Sequence, residues 1–143
     1  MIVYASSKSG KTTWCDNHHD WVDGDKHLFK LLNKAFNVTI IDNDDKGLQI
    51  IELFHINRMK AEKCYTAYME WLKDNKFDLN ILLGSRRFMW LADKVIIKEN
   101  KSSDLYNHEL ASVLKWRIKY TTIKIDEYLN EKLLKNENNY CII

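Results

Sequence analysis

The stretch MIVYASSKSGKT at residues 1–12 decides the fold, because an apolar run is followed at once by small and polar residues. Residues 1–4 have the composition of a buried strand. Residues 5–12 then match the P-loop, or Walker A, pattern G-x-x-x-x-G-K-[ST], with Ala5 in place of the first glycine. A strand that leads through such a loop into a helix directs backbone N–H groups toward phosphate oxygens. The stretch therefore predicts a site for a nucleoside triphosphate.

The positions of this loop have distinct predicted roles. Gly10 allows close backbone approach to the ligand. Lys11 would reach the β- and γ-phosphates, and the Thr12 hydroxyl would bind Mg²⁺. The remaining positions expected to contact the nucleotide are Ser7, Lys8, Ser9 and Thr13. The alternative is a polar turn of serine, lysine and glycine, which accounts less well for the order strand, loop and helix.

Length and composition predict one domain without a membrane segment. The chain has 143 residues, of which 45% are hydrophobic, enough for one core. The net charge of +2 excludes the strongly basic surface typical of nucleic-acid binders. Three separated cysteines without C-x-x-C spacing favour neither a disulfide framework nor a zinc site, so we expect a cytoplasmic protein. Frequent lysine, asparagine and isoleucine indicate an A/T-rich genome, such as that of a virus or phage.

Strand-like and helical segments alternate along the chain, which is typical of the α/β class. We expect a three-layer α-β-α sandwich with a mainly parallel, five-stranded sheet. The five predicted strands are residues 1–4, 21–22, 78–85, 94–98 and 121–125, whereas residues 37–41 form either an edge strand or an extended connection. The longest helical pattern, residues 48–75, could bend or split near residues 55–60. One domain would cover residues 1–135, and residues 136–143 would be a flexible tail.

The sequence Asp23-Gly24-Asp25 is the second motif with chemical meaning. It follows a short strand, so both carboxylates are expected at the carboxyl end of the sheet beside the loop. One of them, Asp23, could bind Mg²⁺ through water, and Asp25 could accept a proton from a substrate hydroxyl. A turn followed by a helix N-cap at Asp25 is the alternative.

Arginines are candidates for binding a substrate phosphate or the transferred charge, since a guanidinium matches phosphate oxygens in a bidentate manner. Arg86 and Arg87 directly follow a predicted strand, and Arg117 lies on a later helix. A solvated helix start and a surface salt bridge are the respective alternatives.

Residues 5–13 together with residues 22–25 resemble the small P-loop kinases, the group that contains shikimate, gluconate, adenylyl-sulfate and nucleoside monophosphate kinases. The resemblance implies the P-loop NTP hydrolase or kinase fold, with ATP and Mg²⁺ as cofactors. It extends more loosely to residues 83–87, similar to a substrate-binding segment, and to Arg117. It also implies a lid near residues 99–108. The lid of this group usually supplies arginines, and residues 99–116 contain none, so the lid is minimal or Arg86, Arg87 or Arg117 acts instead.

The expected function is phosphoryl transfer from ATP to a nucleotide, a nucleoside or a similar small metabolite. Lys11, Asp23, Asp25, Arg86 and Arg87 would be the catalytic residues. One alternative is a nucleotide-binding regulatory module without phosphoryl transfer. A second alternative is a polynucleotide 5′-hydroxyl kinase, which the modest net charge makes less favourable.

Overall fold

The computed structural model describes residues 1–6, 11–97, 104–115, 120–122 and 140–142. The chain divides into two compact units. Met1–Asp23 and Lys76–Ile143 form one, here called the sheet unit, and Gly24–Asn75 form the other, here called the helical unit. In chain order, the elements are β1 (Ile2–Ala5), α1 (Lys11–Asn17), β2 (Trp21–Asp23), α2 (Gly24–Phe36), α3 (Lys46–Ile56), α4 (Arg58–Asn75), β3 (Asn80–Leu83), a 3₁₀ helix (Arg86–Leu91), β4 (Lys94–Ile97), α5 (Asp104–Lys115), β5 (Tyr120–Thr122) and β6 (Tyr140–Ile142).

The sheet unit is built on parallel strands, which confirms the α/β class. Strands β2, β3, β1 and β4 pair in that order, and the sheet continues through β6 to β5. Strand β1 is fully buried, and three of the four residues in both β3 and β4 are buried. Continuous apolar runs are typical of parallel strands that are covered on both faces.

The number of strands differs from the five that we expected. Strand β5 is shorter than residues 121–125, and β6 lies within residues 136–143, which we expected to be a flexible tail. Aromatic and β-branched residues favour strands, and β6 obtains parallel partners on both sides. The expectation of one domain over residues 1–135 stays a prediction.

Residues 37–41, a possible edge strand in the sequence, form no strand. Helix α2 ends just before Asn37, whose φ of 52° is left-handed, and the Val38 N–H donates to the Asn33 carbonyl at 3.2 Å. Asparagine tolerates this conformation at the end of a helix better than most residues. The backbone of Ile40 bonds to the Asn33 side chain at 2.8 Å instead of to a neighbouring strand.

The predicted break within residues 48–75 is confirmed at Asn57, between α3 and α4. The Asn57 backbone is extended, and its N–H donates to the Leu53 carbonyl at 3.1 Å. Its side-chain oxygen accepts the Lys60 N–H at 3.1 Å. One residue therefore satisfies backbone groups at the end of one helix and at the start of the next.

The core of the helical unit is apolar. Its buried side chains are Leu28, Leu32, Ile40, Leu53, Ala61, Cys64, Tyr65, Tyr68 and Leu72. Beside them the His27 ring stacks on Trp71, with centroids 4.1 Å apart and planes 15° from parallel. Within the ranges given above, no helix combines the length and apolar character needed to cross a membrane.

Candidate functional site

The candidate site lies at the carboxyl ends of the parallel strands. Parallel pairing places the carboxyl ends of β1, β2, β3 and β4 on one edge of the sheet. The chain leaves β1 toward β2 on one side and leaves β4 toward β5 on the other. Ligands of open parallel sheets bind at such a reversal of strand order, which here falls between β1 and β4.

Lys11 is the first residue of α1 and is buried. Its ammonium group donates hydrogen bonds of 2.9 Å to the carbonyl oxygens of Ala5 and Ser6. The cation predicted to contact phosphate is therefore retained at the end of β1, on carbonyl groups of the loop in which it lies. Two of the three donors of the ammonium group are thereby directed at carbonyl groups of the loop.

Thr12 and Asp23 come together in the structure. The Thr12 hydroxyl lies 3.4 Å from Oδ2 of Asp23, a long hydrogen bond between the start of α1 and the end of β2. Thr12 is exposed, whereas Asp23 is buried. The loop motif and the first residue of the Asp-Gly-Asp motif thus meet through their side chains, although eleven positions separate them.

Asp25 lies in the first turn of α2, which begins at Gly24 and not at Lys26 as predicted. It is therefore a residue of the helix and not its N-cap. A carboxylate in the first turn interacts favourably with the positive end of the helix dipole. Gly24 and Asp25 belong to the helical unit. Asp23, the last residue of β2, belongs to the sheet unit.

Arg86 and Arg87 begin the 3₁₀ helix that follows β3, which confirms the predicted helical turn. Both are exposed. The guanidinium of Arg87 lies 5.9 Å from the ring centroid of Phe88, a cation–π distance. The positive charge of Arg86 acts on the carboxyl group of Glu109, so Arg86 is electrostatically coupled to the site edge.

Glu109 is a buried acid at this edge that the sequence did not single out. Its side chain is on α5, and the residue is only 1% exposed. Oε2 accepts hydrogen bonds from the Tyr4 hydroxyl at 2.5 Å and from the Ser6 hydroxyl at 2.8 Å. Both donors come from the end of β1, more than one hundred residues earlier in the chain.

Burial raises the pKa of the Glu109 carboxyl, because desolvation disfavours its charged form. The hydrogen bonds from Tyr4 and Ser6 and the charges of Lys11 and Arg86 lower the pKa and offset part of this increase. The proton affinity of Glu109 is therefore set by the same residues that form the candidate site.

A weak signal for Glu109 is present in the sequence. It lies four residues before the buried Val113, which places both on one face of a helix. A glutamate on the core-facing side of a helix is unusual unless it has partners. The partners of Glu109 are distant in sequence. The helical spacing therefore indicates that the glutamate faces the core but does not indicate which residues it contacts.

Several predicted site residues lie outside the described part of the chain. These are Ser7, Lys8, Ser9, Gly10 and Arg117. Thr13 is described and is exposed on α1. The predicted lid, residues 99–108, lies partly outside the described ranges, and its last five residues belong to α5, because this helix begins at Asp104.

The oxygen atoms of Thr12 and Asp23 fit the chemistry of Mg²⁺. Magnesium prefers oxygen ligands, keeps several waters and is commonly held by one or two protein groups together with phosphate oxygens. Among the described residues, no group of three or more histidine, cysteine, aspartate or glutamate side chains could hold a metal ion. Thr12 and Asp23 each present an oxygen atom of the kind that Mg²⁺ binds.

Protein-family models, curated proteins and solved structures all gave no match to this chain.

Proposed function

We propose that the chain is an ATP:Mg²⁺-dependent phosphotransferase that acts on a nucleotide, a nucleoside or a similar small metabolite bearing a hydroxyl or phosphate group. The observation that carries the proposal is the 3.4 Å contact between the Thr12 hydroxyl and Asp23. It joins the P-loop pattern to a carboxylate at the next strand end, and the buried Lys11 directly precedes Thr12 in sequence. A polar turn without a ligand gives no reason for this combination.

The proposed reaction needs positioning and charge neutralisation more than a strong base. An acceptor oxygen attacks the γ-phosphorus of ATP, and the bond from this phosphorus to the β–γ bridging oxygen breaks, so that ADP leaves. When the acceptor is a hydroxyl, its proton passes to Asp25. Lys11 contacts the β- and γ-phosphates, and Arg86 or Arg87 offsets charge on the transferred group.

Mg²⁺, when bound, neutralises charge on the phosphates. Thr12 would bind it directly, and Asp23 would hold one of its waters. The parallel pairing of β1 with both β3 and β4 supports the further proposal that the fold is a three-layer sandwich of the P-loop kinase type. The resemblance of residues 5–13 and 22–25 to small P-loop kinases supports the same assignment.

A transfer assay with matched variants tests this function. The protein is incubated with γ-labelled ATP, Mg²⁺ and a panel of nucleosides, nucleoside monophosphates and small hydroxyl compounds, and labelled products are separated. Replacing the water-holding carboxylate by Asp23→Asn should lower transfer by about 10–100-fold, the usual effect of losing an outer partner of a metal. Thr12→Val should lower it as well.

The control for Thr12→Val is Thr66→Val, the same chemical change at an exposed position of α4. It should leave transfer and melting temperature unchanged. Equal activity of Thr12→Val and Thr66→Val would contradict the proposed role of the Thr12 hydroxyl. Binding of ATP by the parent protein without transfer to any member of the panel would contradict the kinase function.

The two alternatives give different results in the same assay. In a kinase, Asp25→Asn should remove phosphoryl transfer and leave ATP affinity nearly unchanged. In a nucleotide-binding regulator, the parent shows no transfer and Asp25→Asn should leave ATP affinity unchanged. A polynucleotide 5′-hydroxyl kinase should lose affinity for its acceptor steeply with added salt, because phosphate contacts release counterions. A salt-independent acceptor KM would contradict that alternative.

A further inference from the structure

The hydrogen bonds of Glu109 do not by themselves explain why this position carries an ionisable carboxyl group. A glutamine oxygen could accept the same two hydrogen bonds from Tyr4 and Ser6 without the cost of burying a carboxylate. The structure nevertheless holds an ionisable group, 1% exposed, at the reversal of strand order. An ionisable group in this position can respond to nearby charges in a way that an amide cannot.

Ser6 connects Glu109 to the P-loop lysine. The Ser6 hydroxyl donates to Glu109 at 2.8 Å, while the Ser6 carbonyl accepts from the Lys11 ammonium at 2.9 Å. The Ser6 N–H donates to the Ile96 carbonyl of β4 at 3.0 Å, so the backbone of the connecting residue is tied to the sheet. The Glu109 carboxyl and the Lys11 ammonium are therefore both hydrogen-bonded to Ser6.

The positive charge of Lys11 also lowers the pKa of the Glu109 carboxyl, because it favours the ionised form. Among the described residues, the titratable and charged groups that face Glu109 are Tyr4 of β1, Lys11 of α1 and Arg86 of the 3₁₀ helix. An ionised Glu109 attracts the Lys11 ammonium, and the attraction is stronger in a buried site than in water. The phosphates of a nucleotide would need the same cation, and their negative charge would disfavour an ionised carboxyl nearby.

We propose that Glu109 is a positioning residue whose charge controls nucleotide binding. The ionised carboxyl retains the Lys11 ammonium on the carbonyls of Ala5 and Ser6. Protonation of the carboxyl weakens that retention and makes the ammonium available to phosphate. Nucleotide binding is therefore coupled to proton uptake at Glu109. This inference rests on the proposed function, because it concerns the same nucleotide site.

The test is the pH dependence of ATP affinity, measured calorimetrically with Mg²⁺ for the parent and for Glu109→Gln. The ratio of the two dissociation constants removes the titration of ATP itself, which both proteins share. At low pH the ratio should approach one. At alkaline pH the parent should bind more weakly than the variant by about fivefold or more, in the range usual for coupled sites.

A matched control is Glu70→Gln, the same change at an exposed position of α4. Its dissociation constants should follow those of the parent at every pH. A ratio for Glu109→Gln that is independent of pH would overturn the inference while the nucleotide site stands. Absence of ATP binding by the parent at any pH would instead overturn the proposed function.

A second variant keeps the inference falsifiable if Glu109→Gln does not fold. Tyr4→Phe removes one hydrogen bond that favours the ionised carboxyl, so the midpoint of the pH dependence should move to higher pH. In protein labelled with ¹³C at glutamate carboxyls, saturation with ATP should also raise the titration midpoint of Glu109. A midpoint that ATP leaves unchanged, or that Tyr4→Phe lowers, would overturn the proposed coupling.

Discussion

The sheet unit and the helical unit bury different kinds of residue. Among the described residues, the buried polar or charged side chains all belong to the sheet unit, and they are Ser6, Lys11, Asp23 and Glu109. The buried side chains of the helical unit are aliphatic or aromatic apart from Cys64. Burying ionisable groups costs free energy. Their concentration in the sheet unit is in keeping with the proposed site, whereas the buried side chains of the helical unit contribute mainly to stability.

The largest expected effect concerns the apolar core of the helical unit. Leu72 is fully buried on α4, and Leu72→Ala should lower the free energy of unfolding by about 2–5 kcal/mol through lost burial and a cavity. Denaturant titration followed by circular dichroism measures this change. The control is Leu48→Ala at an exposed position of α3, which should change stability by less than about 0.5 kcal/mol. Similar effects of both variants would refute the contrast with the sheet unit.

The next effect concerns the buried cation of the sheet unit. Lys11→Met removes the ammonium and keeps a long side chain, so nucleotide turnover should fall by roughly 100-fold, a usual cost of losing one electrostatic contact to the reacting group. The carbonyls of Ala5 and Ser6 lose a donor, which should also cost about 1–3 kcal/mol of stability. Steady-state kinetics and thermal melting measure both quantities.

Lys30→Met is the matched control, because Lys30 is exposed on α2. It should retain the turnover and the melting temperature of the parent protein. If Lys11→Met also kept full turnover, the buried cation would be a packing feature. The two units would then differ in the type of side chain that they bury, but neither difference would concern nucleotide turnover.

A smaller effect is expected in the pH dependence of stability at Glu109. Because burial raises the pKa of this carboxyl in the folded protein, the folded state binds its proton more tightly than the unfolded state does. Its contribution to stability is fully present below the unfolded pKa and is lost as the pH rises through the folded pKa. Relative to Glu109→Gln, the parent should lose stability over this interval. Parallel stability curves from pH 4 to 9 would contradict the expectation.

The smallest effect is expected at His27, the titratable residue of the aromatic stack in the helical unit. Desolvation, together with the charge of Lys30, lowers the pKa of His27. The pH dependence is opposite to that of Glu109. Because the folded pKa is lowered, the protein loses stability as the pH falls from the ordinary histidine pKa through the lower pKa of the folded state. His27→Phe should flatten the melting temperature between pH 5 and 7.5. The exposed replacement His55→Phe is the control, and the same flattening in both would contradict the assignment to His27.

Local patterns were sufficient for part of this structure. The apolar runs of β1, β3 and β4 predicted buried parallel strands, and the P-loop pattern with Asp-Gly-Asp predicted the meeting of Thr12 and Asp23. The helical pattern over residues 48–75 also allowed a bend or split near residues 55–60, where the structure has the break at Asn57. In each case the information lies within a few neighbouring residues.

Contacts between distant residues were not predictable in the same way. The role of Glu109 depends on Tyr4 and Ser6, which are more than one hundred residues away. Strand β6 depends on partners in β4 and β5. Residues 104–108 were expected to belong to a lid but form the first turn of α5, because polar residues resemble a loop until the contacts of the helix are known. A periodic pattern predicts which face of a helix or strand is buried, but it does not predict which other element packs against that face.

The central place of β1 in the sheet has a consequence for synthesis on the ribosome. Ile2 pairs with Ile81 of β3, about 80 residues later in the chain, and β4 follows later still. At about 5–20 residues per second, β1 waits roughly 4–16 s for its first partner. During this interval its apolar residues and unpaired backbone are available to chaperones or to other nascent chains. Protease should therefore cut residues 1–6 in nascent chains stalled before residue 80, and protection at that length would contradict this order of assembly.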